Sequence, residues 1–301
     1  LESRIALAPE EPERALALAK LAHYIDPGAE PANVWLGRAR LAAGFADRAL
    51  VDLEDYVFTV NPSSAEGWLL LAGIYREQSR AADALEAYAR AVQLSPSPAE
   101  ALTGRGEYYL AERRFALAYA DFDAALTVDP QSREARMGRA ESAFALGLYD
   151  EALADAEAIR DAEVPDPMLE VLAIRTLAEL GQYGPVIDRA QAALALDLSD
   201  VQAARILEAR ARAYEATGAL DLALADANRA LELDESGLGH YVRGAVLAAQ
   251  GQTESAIRDL EWTRYWADVF GYPFAADLDA RLESLYRLRA AAAATPTPGA
   301  P

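Results

Sequence analysis

His23 and His240 are the only imidazoles in a 301-residue chain, more than two hundred residues apart, and there is no cysteine. Thiolate nucleophiles, disulfides and sulfur-rich metal sites are therefore absent from its chemistry. A zinc site would have to combine carboxylates with these two distant histidines. No G-x-S-x-G, P-loop or EF-hand spacing occurs. Each histidine falls at a helix position of the repeating pattern described below, which gives it a structural role. The clustered carboxylates Asp121 and Asp123, and Asp52, Glu54 and Asp55, fall on second helices of that pattern and read as solvated faces. No catalytic residue, metal ligand or cofactor site is expected.

What remains is surface chemistry, and its sign is set. There are 48 acidic and 28 basic residues, a formal net charge of −20. Phosphate backbones and anionic lipid both need a basic footprint, so nucleic acid is not an expected partner. Lys20 is the single lysine, and no run of five or more basic residues occurs. No stretch approaches the roughly 18 apolar residues of a membrane span. The sequence opens at Leu1 rather than a methionine and carries no signal peptide, which reads as a processed or cut chain. With Thr295 and Thr297 beside prolines as positions for sugar, this points to an extracellular or periplasmic location, the cytoplasm being the alternative.

The elements that must present such a surface are legible from spacing. Ala15, Ala49, Ala84, Ala118, Ala152, Val186, Ala223 and Ala256 recur at intervals of 34, 35, 34, 34, 34, 37 and 33 residues. A second series, Gly37, Ala72, Gly106, Ala140, Ile174, Ala211 and Gly244, keeps the same register. Between the two series lie turns at Gly44, Gly147, Gly181, Gly218 and Gly251, where a left-handed backbone ends a helix. Prolines 27, 62, 96 and 130 stop the early second helices. The unit is helix, tight turn, helix, stop. Its small residues allow close helix approach, while Tyr109 and Phe122 fill the space towards the next copy.

Residues 65–98 give W-x2-L-A-x2-Y at Trp68, Leu71, Ala72 and Tyr75, followed by Ala84, Tyr88, Ala91 and Pro96. This resembles the tetratricopeptide repeat pattern. The resemblance implies an all-α, right-handed solenoid of about seven helix-turn-helix repeats, with an N-terminal half repeat and a C-terminal capping helix. The expected organisation is a partial repeat over 1–29, the array over 30–268, the capping helix over 269–290 and an Ala/Thr/Pro-rich tail over 291–301. Arg136 and Arg139 stand where the pattern is usually apolar, and Ile174 and Val186 replace small residues, so the middle junctions are expected to splay. In such a family first helices line a concave groove for a protein or peptide partner. By register that lining is Arg38, Leu41, Leu69, Arg76, Glu107, Leu110, Met137, Glu141, Phe144, Arg175 and Arg212. No lysines or paired asparagines stand at the positions of a chaperone-type carboxylate clamp.

The two ends suggest a second reading. The first helix reads as starting mid-way at LESRIALA, leaving Ile5, Leu16, Leu18 and Leu21 short of cover. At the other end come the aromatics Trp262, Trp266 and Phe270 and the amphipathic Leu278, Leu282 and Leu285. These two sets could meet between copies, head to tail, and build a filament or other homopolymer. A non-enzymatic interaction scaffold is the leading expectation and self-stacking the alternative.

Overall fold

The computed structural model describes residues 12–161, 164–235, 238–270 and 275–294, and there the chain is helical, without strands. It divides into two compact units, Leu1–Leu146 and Gly147–Pro301. The first holds α1 (Pro12–Ile25), α2 (Glu30–Ala42), α3 (Ala46–Asp55), α4 (Ala65–Glu77), α5 (Ala81–Leu94), α6 (Ala99–Ala111), α7 (Phe115–Val128) and α8 (Arg133–Ala145). The second holds α9 (Tyr149–Ala158), α10 (Pro167–Glu179), α11 (Tyr183–Ala193), α12 (Asp200–Ala216), α13 (Leu220–Leu233), α14 (Gly239–Ala249), α15 (Thr253–Phe270) and α16 (Ala275–Ala294).

Helix starts and stops follow from local chemistry. Ser64 and Ser132 cap α4 and α8 by accepting from the N–H groups of Gly67 and Ala135. Asp166 caps α10 ahead of Pro167, and Ser199 with Gln202 forms a capping box on α12. The five turn glycines all have φ between 69° and 80°. The two remaining turns of this type place Ser79 and Arg113 at φ 58° and 57°. A Cβ in that region costs about 1–2 kcal/mol, partly offset by the greater freedom glycine gives the unfolded chain. Ser79→Gly or Arg113→Gly is therefore expected to raise stability by about 0.5–1 kcal/mol. A lowered urea midpoint in both variants would refute the strain argument.

One position of the repeat carries an unexpected constant function. Asn33 Nδ2 donates to the Pro27 carbonyl at 2.9 Å, Trp68 Nε1 to the Pro62 carbonyl at 2.9 Å, and Arg136 Nη2 to the Pro130 carbonyl at 2.5 Å. Three unlike side chains thus satisfy the same orphan acceptor, six residues back, where proline has ended the preceding helix. Arg136 departs from the apolar pattern without loosening the fold. Arg139 reaches Asp123 at 2.5 Å.

The core lies between paired helices. Ala49, Ala72, Ala84 and Ala118 are fully buried, and so is Phe122. In the second unit Ile174 and Val186 are fully buried in one cluster with Ala190, Ile206 and Ala213. The expectation that these larger residues open the junction needs correction here: they are packed within it, and Ile206 from α12 completes the cluster.

A further correction concerns the carboxylates read as solvated. Asp121 is buried, and Arg105 grips it with two bonds of 2.7 Å. The same pair, sixteen residues apart, recurs as Arg210–Asp226 and Arg243–Asp259 at 2.7–2.8 Å. Asp52 meets Arg40, and Glu54 accepts from Tyr75 Oη at 2.8 Å. Asp121, Asp226 and Asp259 lock first helices to second helices, because a bidentate guanidinium–carboxylate match fixes both distance and orientation, while Asp55 and Asp123 are exposed as read.

Candidate functional site

In the first unit the first helices α2, α4 and α6 border a concavity of about 1050 Å³. Leu41 and Leu69 are partly buried on its lining, and Arg76, Thr103 and Glu107 add polar groups. Gly73 lies on it too, and a Cβ built there would meet nothing within 4 Å. Helix register explains the set. Leu69, Gly73 and Arg76 are spaced by four and three residues, which puts them on one stripe of α4.

The arginines on this face hold acids from the neighbouring first helix. Arg38 Nη2 lies 2.6 Å from Glu66 Oε1, and Arg76 Nη1 lies 2.9 Å from Glu107 Oε2. Both pairs are about half exposed, so each contributes on the order of 0–1 kcal/mol and is replaceable by charges on a ligand. Among the described residues no group of three or more His, Cys, Asp or Glu could hold a metal ion, and no helix is long and apolar enough to cross a membrane.

The other expected groove residues are placed differently. Leu110 packs against the cluster around Phe122. Met137, Glu141 and Phe144 are partly buried on α8, and burial raises the Glu141 carboxyl above its ordinary range. Arg175 and Arg212 belong to the second unit, on α10 and α12. There Arg212 Nη1 holds Glu179 Oε1 at 2.5 Å. Tyr241 Oη donates to Asp277, which also takes Arg281 Nε at 2.7 Å.

Glu208 on the same face had no sequence signal beyond its position between Arg205 and Arg212. It is 2% exposed. Its carboxylate accepts from the Leu238 backbone N–H, while Oε1 has no hydrogen-bond partner. Burial pushes its pKa up to about 7 against the pull of Arg205 and Arg175. His240, one of the two imidazoles, stacks on Trp262 at 4.0 Å with Nδ1 3.1 Å from Asp259, which suits an anchor.

The residues proposed to join copies are mostly occupied within the chain. Leu278, Leu282 and Leu285 are buried against α14 and α15. Leu16 is buried beside Trp35 and Leu36. Leu18, Trp262 and Trp266 are partly buried, and Leu21 is exposed. Ile5 and the Phe270 side chain lie outside the described residues. The apolar stripe of α16 is thus covered by its own unit, which corrects its assignment to a neighbouring copy.

Comparison with known proteins fits this architecture. No curated protein matches the chain. Among solved structures, a chain of the APC/C hetero-tetramer Cut9–Hcn1 superposes with a TM-score of 0.59 at 17% identity, covering 92% of this chain and 53% of that one. This chain therefore spans about half the length of that relative. Pseudomonas aeruginosa pilF gives a TM-score of 0.55 at 20% identity, covering 69% and 93%. The human IFIT1 dimer with m7Gppp-AAAA gives 0.52 at 20% identity, covering 86% and 64%. At these identities the likeness concerns the fold. Tetratricopeptide repeat profiles match residues 36–99 and 103–166, and again 204–236. With more than half of its residues matched and helix pairs of the same order throughout, the chain belongs to the tetratricopeptide repeat family.

Proposed function

We propose that this protein is a non-enzymatic scaffold that seats a peptide segment of another protein in the concavity over α2, α4 and α6. The observation that carries this reading is the combination of that 1050 Å³ space with a part-apolar lining and replaceable ion pairs. Leu41 and Leu69 offer apolar cover to a side chain, and Arg76 and Glu107 offer either sign of charge at the edge. A pocket of this kind recognises by burial at its centre and by polar matching around it. The human IFIT1 structure holds m7Gppp-AAAA, but a net charge of −20 on this chain disfavours binding to phosphates.

The test is a selection of binders from a random 15-residue peptide library on the full chain. A selected peptide should lose about tenfold or more in affinity, roughly 1.4 kcal/mol, on Leu69→Glu. Unchanged affinity for Leu69→Glu and for Arg76→Ala would show that the segment does not sit there.

A further inference from the structure

A separate cavity lies wholly in the second unit, bounded by residues of α9, α10 and α11. Its volume of about 480 Å³ falls within the roughly 300–1,000 Å³ range of ligand pockets. Pro185, Asp188, Ala192 and Leu196 recur every three or four residues, which lays them along one stripe of α11 and its end. Leu177 on α10 adds to the apolar wall.

Most of the charged groups lining this cavity are matched to one another. Glu170 on α10 is buried, and accepts from Arg160 Nε at 3.0 Å and from Arg189 Nε at 2.5 Å. Arg189 Nη2 adds a third bond at 3.2 Å, and its Nη1 reaches Glu157 on α9. Burial works against the charge on Glu170, yet these bonds hold its carboxyl below the ordinary range, so the network stays ionised. Asp188 stands apart. It lines the same cavity and is exposed, and its carboxylate makes no ion pair or hydrogen bond among the described residues. Three acids therefore face two arginines, and the spare charge is negative.

We propose that this cavity seats a lysine or arginine side chain of a partner protein, its aliphatic stem over Leu177, Ala192 and Leu196 and its charged end at Asp188. Such side chains bury their stems on apolar surface while the charged head stays in water, which matches an apolar wall beside an exposed carboxylate. Arg160 gives Glu170 a single bond, so a peptide carboxylate is the competing occupant. It would meet the unmatched charge of Asp188 and a chain of net charge −20. A peptide is favoured over a free amine by Val164, which is 73% exposed next to the lining residue Pro165 and offers apolar cover to a neighbouring side chain.

The experiment is amide NMR of the full chain titrated with an end-blocked peptide carrying one arginine between leucines. The same peptide is made with citrulline, the neutral isostere, or with glutamate in place of that arginine. The arginine peptide should shift amides of α10 and α11 around Leu177, Asp188 and Ala192. Citrulline, and separately Asp188→Asn, should weaken binding about three- to fivefold, the size of one partly exposed ion pair. Ala192→Trp should abolish binding, because Ala192 is exposed and an indole there fills the cavity from the solvent side without entering the core. Absence of shifts at millimolar peptide, undiminished binding by Ala192→Trp, or tighter binding of the glutamate peptide would each overturn the proposal. N-acetylarginine amide binding as tightly as the peptide would overturn the assignment to a protein partner. Shifts confined to α4 and α6 would count for the Leu69 concavity and against this cavity, so the two readings fail separately.

Discussion

Phe122→Ala is expected to destabilise the first unit by about 3–5 kcal/mol, the range for deleting a fully buried aromatic side chain. Phe122 is fully buried, and two glycines exist to admit it. A Cβ built on Gly106 of α6 would lie 2.9 Å from its Cε1, and one on Gly138 of α8 only 2.2 Å from its Cζ. The ring therefore occupies the space between its own helix partner and the next first helix. Alanine leaves a cavity there that two glycines cannot fill, so transfer and cavity costs add. The reciprocal change, Gly138→Ala, overpacks the site and should cost about 1–3 kcal/mol. Because the contact is shared, Phe122→Leu combined with Gly138→Ala should cost less than the two single changes added together. Urea midpoints and amide exchange in α6, α7 and α8 would measure this. A Gly138→Ala variant melting with the wild type would contradict the close approach.

The contrast between Gly106 and Gly138 shows how far the sequence alone reaches. Gly106 stands in the small-residue series with a 34-residue period, so its close contact is readable from spacing. Gly138 lies outside that series, and its contact shows as a repeat only in the structure, where Gly104, 34 residues earlier, faces Tyr88 in the same way. The turn glycines were likewise readable, whereas Ser79 and Arg113 in the same conformation were not, since their side chains signal no left-handed backbone. Leu69, Arg76 and Glu107 on the concavity follow from helical register. The paired acids needed a rule linking an arginine to an aspartate sixteen residues on, and charge on a second helix otherwise suggests water. For Leu278, Leu282 and Leu285, amphipathicity established that one face is covered but not by which chain. Glu208 was hidden for a related reason. It lies within the one 37-residue interval, and the seventeen-residue α12 carries it into a place where burial outweighs solvation.

That placement makes Glu208→Gln the variant with the clearest pH signature. The ordinary value of this carboxyl is 4.5 and its folded value about 7. A folded pKa raised above the unfolded one means that the folded chain binds the proton more tightly. The stabilisation is fully present below about pH 4.5 and is lost as pH rises through about 7. The difference of about 2.5 units corresponds to roughly 3 kcal/mol lost by pH 8, an order-of-magnitude figure. Glutamine keeps the shape and stays neutral, so its contribution does not change over this window. Glu170, Asp259 and Asp277 are shifted the other way, because hydrogen bonds from arginines, with His240 or Tyr241 at the two aspartates, outweigh the cost of burial, and their stabilisation is lost on acidification. They are common to both proteins and cancel in the difference. Urea midpoints of the second unit, followed for both proteins from about pH 4.5 to pH 8.5, should therefore separate as pH rises, with Glu208→Gln the more stable above about pH 7. Parallel curves would mean that Glu208 stays ionised on folding, stabilised by Arg175 and Arg205 more strongly than burial opposes it.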